Sequence, residues 1–174
     1  MKAITDSRRL FLINFCFVII SGIVFVAIGL LVTNDILPLA KESGQPTPRW
    51  VTAWMGVYAL VSLVIVPITL LVCIKRRSVR LALGPLFLVF IVQIVKELVF
   101  RRMFFALMPV IVDFVYICFR VWQLLQARLV TKAASDIGAR LRTFIHVIIV
   151  VSLVFCTVDI VLMLIFYLPK LLPT

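Results

Sequence analysis

Acidic side chains are scarce in this 174-residue chain, where 7 Asp and Glu stand against 18 Lys and Arg and the formal net charge is +11. Charged residues of both signs make up only 14% of the sequence, whereas 64% of it is hydrophobic. A water-soluble domain of this size would expose larger apolar patches than water tolerates. The sequence therefore argues against a soluble globular fold and predicts that lipid surrounds most of the chain.

Residues that carry metal or nucleophile chemistry are also few. The single histidine excludes a bis-histidine haem within one chain, and the 4 cysteines show no CxxC or other metal-ligand spacing. There is no GxSxG, HExxH, P-loop or GxGxxG motif. We therefore predict no catalytic residue, no enzymatic activity, no cofactor and no metal. Without a compact basic and aromatic motif, we also predict no nucleic-acid partner.

Long apolar runs are what the sequence has instead. About 20 helical residues cross the hydrocarbon core of a bilayer. The runs of sufficient length cover residues 10–32, 51–74, 81–100, 103–127 and 143–168. The predicted fold is an all-α integral membrane protein, a polytopic bundle of five transmembrane helices that forms one membrane domain over residues 1–174. The proline-rich residues 33–50 are predicted to form an aqueous loop.

The third apolar run leaves a four-span alternative open. No Gly, Pro, Asn, Asp or Ser lies between residues 96 and 105 to make a turn. In that alternative, residues 81–102 lie along the membrane surface. We prefer five spans because residues 81–95 are apolar all round, whereas an interfacial helix needs a polar face.

Basic residues are concentrated in two stretches, residues 75–80 and 128–142, which are predicted to be cytoplasmic loops because Lys and Arg accumulate on that side of a membrane. The N terminus is then predicted to lie in the cytoplasm. The membrane itself is the cell's inner or plasma membrane or an organellar membrane. Ser135 or Asp136 is placed to cap the helix that follows. The residues predicted to set topology and contact anionic lipid headgroups are Lys75, Arg76, Arg77, Arg80, Arg128, Lys132, Arg140 and Arg142.

Polar residues within the runs define the candidate site. On a helix, positions 106, 109, 113, 116, 120, 123 and 127 fall on one stripe. A charge at the bilayer centre costs roughly 2.5–3.5 kcal/mol on insertion scales, so aspartates at that depth should face protein. The intramembrane polar cluster is predicted to consist of Asp113, Tyr116, Arg120, Gln123 and Asp159.

Two functional hypotheses follow from this cluster. Arg120 lies two helical turns from Asp113, so we expect Tyr116 or water to join them; Arg120 alternatively pairs with Asp159 or reaches the cytoplasmic surface. In the first hypothesis the cluster holds the helices together and fixes their packing. The protein is then a subunit, scaffold or assembly factor that binds other membrane proteins or itself. In the second, Asp113, Asp159 and His146 form a proton path in a small proton- or ion-linked transporter or channel. His146 is otherwise a headgroup contact.

Small residues predict where helices meet. Asn14, Ser21, Gly22 and Gly29 lie close together on the first run, and small or polar faces pack on other helices in membranes. Pro67 interrupts the second run and predicts a kink. The kink is a hinge in one interpretation and an ordinary packing distortion in the other.

Overall fold

The computed structural model describes residues 7–37, 48–104 and 108–166, and these residues form helices without a strand. A π-helical turn, Val61–Ile65, joins α2 (Arg49–Leu60) to α3 (Val66–Val72), so that the two form one rod. Five rods are long and apolar enough to cross a membrane, which confirms the predicted all-α membrane bundle. The helices are α1 (Ser7–Thr33), α2 (Arg49–Leu60), α3 (Val66–Val72), α4 (Arg77–Met103), α5 (Met108–Ala133) and α6 (Ala139–Phe166).

Helix α4 runs through the bundle and does not lie along its surface. It packs against α1, α3 and α5, and Leu83 and Val89 in its middle are fully buried. A helix that is apolar all round is stable where neighbouring helices and lipid surround it. The structure therefore has the five-helix arrangement, and the alternative with residues 81–102 at the membrane surface is not adopted.

Both basic stretches, residues 75–80 and 128–142, are largely helical, contrary to the predicted loops, and α4 begins already at Arg77. Helix α5 continues to Ala133 and α6 begins at Ala139, which leaves only residues 134–138 as the connection. Arg128 and Lys132 remain exposed on the last turns of α5. Long basic side chains reach water from a helix end, so a cluster of charge does not require a loop. Residues 38–47 of the predicted aqueous loop lie outside the described ranges, and so do residues 105–107 between α4 and α5.

Pro67 lies just after the π-helical turn. Proline donates no backbone hydrogen bond and its ring crowds the preceding turn. A turn with i→i+5 bonding relieves such a conflict inside an α-helix, and the backbone N–H of Val66 bonds to the carbonyl of Val61. The distortion expected at Pro67 is thus present, on its N-terminal side, while a hinge motion there stays a prediction.

Helix α1 is the outermost helix of the bundle. It packs mainly on α4, and most of its large side chains are exposed. A second apolar core forms where Phe25 of α1 meets Val89 of α4 and Val112 of α5. The main core lies between the remaining helices.

The connection between α5 and α6 is tied to the start of α4. The Oδ2 atom of Asp136 accepts a hydrogen bond from the backbone N–H of Ser78 at 3.1 Å. Arg76 donates to the carbonyl of Asp136 at 2.8 Å, and Arg142 donates to the carbonyl of Ala134 at 2.6 Å. Asp136 therefore caps α4, which precedes it, and the expectation that it caps the following helix is wrong.

The Asp136 cap makes stability depend on pH in acid. The hydroxyl and backbone N–H of Ser78 hold the pKa of Asp136 below its usual value of 3.8. A carboxyl whose pKa is lower in the folded state stabilises the fold above its unfolded pKa, and this is lost as pH falls through the folded pKa. We expect Asp136→Ala to lower the free energy of unfolding by about 1 kcal/mol at neutral pH, measured by reversible unfolding in mixed micelles.

The difference in free energy of unfolding between Asp136→Ala and the unsubstituted protein should become smaller once the pH is below about 4. Ser135→Ala is the matched control, because Ser135 is exposed and adjacent in sequence. It should leave the free energy of unfolding unchanged at every pH. A deficit of Asp136→Ala that stays constant into strong acid would contradict the cap.

Candidate polar site

A polar cluster inside the bundle is centred on Gln93 of α4. The side-chain amide of Gln93 donates to Oε1 of Glu97 at 2.7 Å and to Oδ1 of Asp113 on α5. Its carbonyl oxygen accepts a hydrogen bond from the guanidinium of Arg120. Gln93 and Arg120 are each 3% exposed. An amide suits this position because it offers two donors and an acceptor at once, so that one neutral side chain joins two carboxylates to one cation.

The other arm of Arg120 reaches α2. Its Nη1 donates to the hydroxyl of Tyr58 at 2.5 Å, and that hydroxyl lies 3.3 Å from Sγ of Cys156 on α6. The guanidinium carbon lies 4.6 Å from the ring centre of Phe90 and 5.4 Å from that of Tyr58, within cation–π range. A planar guanidinium can make these hydrogen bonds and ring contacts together. Arg120 thus connects four of the five rods.

Asp159 forms a separate contact. Its Oδ1 accepts a hydrogen bond from the indole N–H of Trp54 at 2.8 Å, which joins α6 to α2. The indole also packs against Phe155, with 4.5 Å between ring centres. Asp159 is buried, and within the described ranges its bond to Trp54 is the hydrogen bond that satisfies it. Arg120 therefore does not pair directly with Asp159.

Tyr116 faces α1 and not Arg120. Its hydroxyl lies 3.2 Å from Oγ of Ser21. The ammonium of Lys96 donates to the same Oγ at 3.0 Å and to the carbonyl of Val18 at 2.5 Å. The expectation that Tyr116 links Arg120 to Asp113 is wrong, because Gln93 forms that link. Lys96 holds α1 against α4 and α5.

Gln123 makes a third contact, also with α1. Its side-chain nitrogen donates to Oδ1 of Asn14, whose own amide donates to the carbonyl of Leu10 at 2.6 Å. Gln123 and Ala127 are both buried. The stripe on α5 is therefore buried from Tyr116 to Ala127, and its members contact different helices. Pro109 and Asp113 are half-buried, and position 106 lies outside the described ranges.

The structure thus divides the predicted cluster. Asp113, which is half-buried, and Arg120 share one network, whereas Tyr116 and Gln123 contact α1 and Asp159 contacts α2. These groups are neighbours in the bundle without forming one chain of hydrogen bonds.

His146 lies far from both aspartates. It is influenced by the charges of Arg128, Lys132 and Arg142 at the basic end of the bundle. The rise of an α-helix places it about 20 Å along α6 from Asp159. In the part of the chain that the structure describes, no direct hydrogen bond joins His146 to Asp113 or Asp159, and a proton path through the three residues stays a prediction.

The four predicted packing residues of α1 lie on its contact face. Asn14 and Ser21 are buried and make the hydrogen bonds given above. A side chain at Gly22 would meet the ammonium of Lys96 at 3.2 Å, and one at Gly29 would meet the ring of Phe104 at 2.6 Å. Small residues at these positions let α1 approach its neighbours closely.

The predicted headgroup contacts lie at one end of the bundle. Arg76 and Arg142 bond to the connection between α5 and α6 as described. Those that are exposed are Lys75, Arg76, Arg77, Arg80, Arg128, Lys132 and Arg140, whereas Arg142 is half-buried. Among residues 7–37, 48–104 and 108–166, no group of three or more His, Cys, Asp or Glu side chains is placed to hold a metal ion.

Six residues of the site were not predicted: Gln93, Glu97, Lys96, Tyr58, Trp54 and Cys156. Gln93 had a usable signal, because it is the one strongly polar residue between positions 81 and 95. A lone amide in an apolar helix needs a partner, for the same reason as a lone carboxylate. Tyr58 and Trp54 begin a span, where aromatic side chains are common for other reasons.

These features define a small polytopic helical membrane protein whose interior contains hydrogen-bonded polar contacts between helices. Comparison with protein-family models, with curated proteins and with solved structures finds no match for the chain.

Proposed function

We propose that this protein is a small membrane subunit or scaffold that binds other membrane proteins through its lipid-facing helices. The observation that supports this proposal is that the interior polar groups bond to one another between helices. Arg120 binds Gln93, Trp54 binds Asp159, and Gln123 binds Asn14. Each hydrogen bond between membrane helices stabilises their association by roughly 0.6–2 kcal/mol. Such bonds also fix the register in which the helices pack. Such an interior holds an outer surface in a defined shape.

The helices most available to a partner are α1 and the rod formed by α2 and α3. In their most apolar stretches 22% and 24% of residues are buried, against 39% in each of the other three spans. Ile23 and Leu30, on one side of α1, are 66% and 52% exposed. We therefore assign the partner surface to α1 first.

The test is isolation of the tagged full-length protein from its native membrane in a gentle detergent, with mass determination of the complex. We expect a membrane-protein complex of fixed stoichiometry, which Ile23→Ala combined with Leu30→Ala weakens. Val161→Ala combined with Leu164→Ala, at exposed positions of α6, is the matched control and should leave the complex intact. A protein that runs only as a single chain would contradict the proposal.

The orientation that we propose places the N terminus in the cytoplasm. The exposed Lys75, Arg77 and Arg80 lie at the end of the bundle where α1 begins, and the excess of Lys and Arg marks the cytoplasmic side of a membrane. Labelling of Lys75→Cys by a membrane-impermeant maleimide should occur only after the membrane is opened.

A proton- or ion-linked transporter is the second candidate. One observation favours it: Glu97 and Asp113 are both half-buried and accept hydrogen bonds from the same Gln93 amide. Intramembrane carboxylates often mark ion pathways. The reconstituted protein should then carry a proton or ion flux that Asp113→Asn abolishes and Asp159→Asn leaves in place. That result would favour the transporter over the scaffold, and absence of any flux would exclude the transporter.

A further inference from the structure

A groove of about 440 Å³ lies between α1 and α4 and opens to the outside of the bundle. Its walls are almost entirely apolar. Asn14 lies in the wall, but its side chain is already bonded to Gln123 and to the carbonyl of Leu10. The residues that shape the groove include Phe11, Phe15 and Val18 of α1 and Gly84, Leu88 and Val92 of α4.

The length of the groove matches one leaflet of a bilayer. On α4 its lining extends from Arg80 to Val92, which is about 18 Å at the rise of an α-helix. Half of a hydrocarbon core about 30 Å thick is about 15 Å. The groove therefore runs from the basic end of the bundle to about the middle of the membrane.

Gly84 keeps the groove open. A side chain at Gly84 would meet no other atom within 4 Å, so this residue is not required for close packing of α1 on α4. A larger residue there would extend into the groove.

Arg80 lies at the mouth of the groove. Its side chain is exposed, and among the described residues it has no hydrogen-bond or ion-pair partner. Among the residues that the structure describes, the acidic side chain at this end of the bundle is Asp136, which is bonded to Ser78. Arg77, one turn before Arg80, is also exposed. An unpartnered cation above an apolar groove complements a negatively charged headgroup with an acyl chain below it.

We propose that this groove binds one acyl chain of an anionic phospholipid, and that Arg80 binds the phosphate of the same lipid. The apolar wall accepts the chain, Gly84 leaves the space for it, and Arg80 selects the charge of the headgroup. This site is separate from the partner surface on α1, because Ile23 and Leu30 do not line it.

The experiment is native mass spectrometry of the full-length protein with phosphatidylglycerol and phosphatidylcholine that carry the same acyl chains. We expect one phosphatidylglycerol to be retained in preference to phosphatidylcholine. Gly84→Leu should reduce its retention about tenfold, which corresponds to lost contact with roughly two methylene groups at ~0.8 kcal/mol each. Gly56→Leu is the matched control, because a side chain at Gly56 also meets open space and Gly56 does not line the groove.

The headgroup is tested separately. Arg80→Gln should reduce the preference for phosphatidylglycerol about fivefold, the equivalent of about 1 kcal/mol per basic side chain at an anionic surface. Arg140→Gln, at another exposed cation, should leave the preference unchanged. Because Arg80 is exposed and its side chain has no partner among the described residues, this variant remains informative even where Gly84→Leu fails to fold.

Three outcomes would overturn the proposal. The first is equal retention of the two lipids by the unsubstituted protein, which means binding of surrounding lipid only. The second is equal retention of phosphatidylglycerol by folded Gly84→Leu and Gly56→Leu. The third is an unchanged preference in Arg80→Gln.

Discussion

Replacement of Gln93 by leucine should lower the free energy of unfolding by about 3–5 kcal/mol. Leucine is close to glutamine in size, so the expected effect comes from lost hydrogen bonds and not from a cavity. The substitution removes the side chain that joins Arg120 to Asp113. Removal of one partner from a buried ionic group costs about this amount, and no water is available inside a bilayer to replace the lost bonds. Reversible unfolding of the full-length protein in mixed micelles measures it.

Gln126→Leu is the matched control for this prediction. Gln126 lies on α5, is half-buried and has no hydrogen-bond partner among the residues that the structure describes. The same chemical change there should alter the free energy of unfolding by no more than about 0.5 kcal/mol. Equal effects of the two substitutions would show that Gln93 is not a link between charged groups.

A second substitution tests whether Gln93 acts through Arg120. Arg120→Met removes the cation that Gln93 satisfies and keeps much of the packing against Phe90. In the double variant, the guanidinium that Gln93→Leu alone would leave without its acceptor is itself absent. The combined loss should therefore be smaller than the sum of the two single losses by about 1–3 kcal/mol. An additive result would contradict a direct energetic connection between these residues.

The helical period of α5 explains why part of this site could be predicted. Tyr116, Arg120 and Gln123 recur at steps of four and three, and a stripe with that spacing faces one side of any α-helix. The structure buries all three. Their partners could not be predicted, because a stripe is wide enough to touch more than one neighbouring helix. Tyr116 faces α1, whereas Arg120 lies between α2 and α4.

The partners depend on how α4 is rotated about its own axis. Apart from Gln93, residues 81–95 have no strongly polar side chain, so no repeating period in the sequence indicates which face of α4 meets α5. That face is fixed by packing in three dimensions, where Leu83 and Val89 become buried and Gln93 is brought to Arg120. The same limit applies to Trp54 and Asp159, which are far apart in sequence and close only in the bundle.

Gly29→Leu should also lower the free energy of unfolding, because Gly29 lies where α1 meets the end of α4. A Cβ atom added at Gly29 would lie 2.6 Å from atoms of the Phe104 ring. Withdrawal of the ring would disturb its packing against Phe100, where 5.9 Å separates the ring centres. Insertion of extra atoms into a packed interface costs about 1–3 kcal/mol. We expect a loss of that size in the free energy of unfolding, again measured in mixed micelles.

Two further variants show whether Phe104 causes this loss. Gly56→Leu adds the same side chain to a helix where it meets open space, and it should change the free energy of unfolding by less than about 0.5 kcal/mol. Phe104→Ala removes the ring that obstructs a side chain at position 29, so in combination with Gly29→Leu it should recover part of the lost stability. If Phe104→Ala deepens the loss caused by Gly29→Leu, the glycine is needed for some reason other than the close approach of this ring.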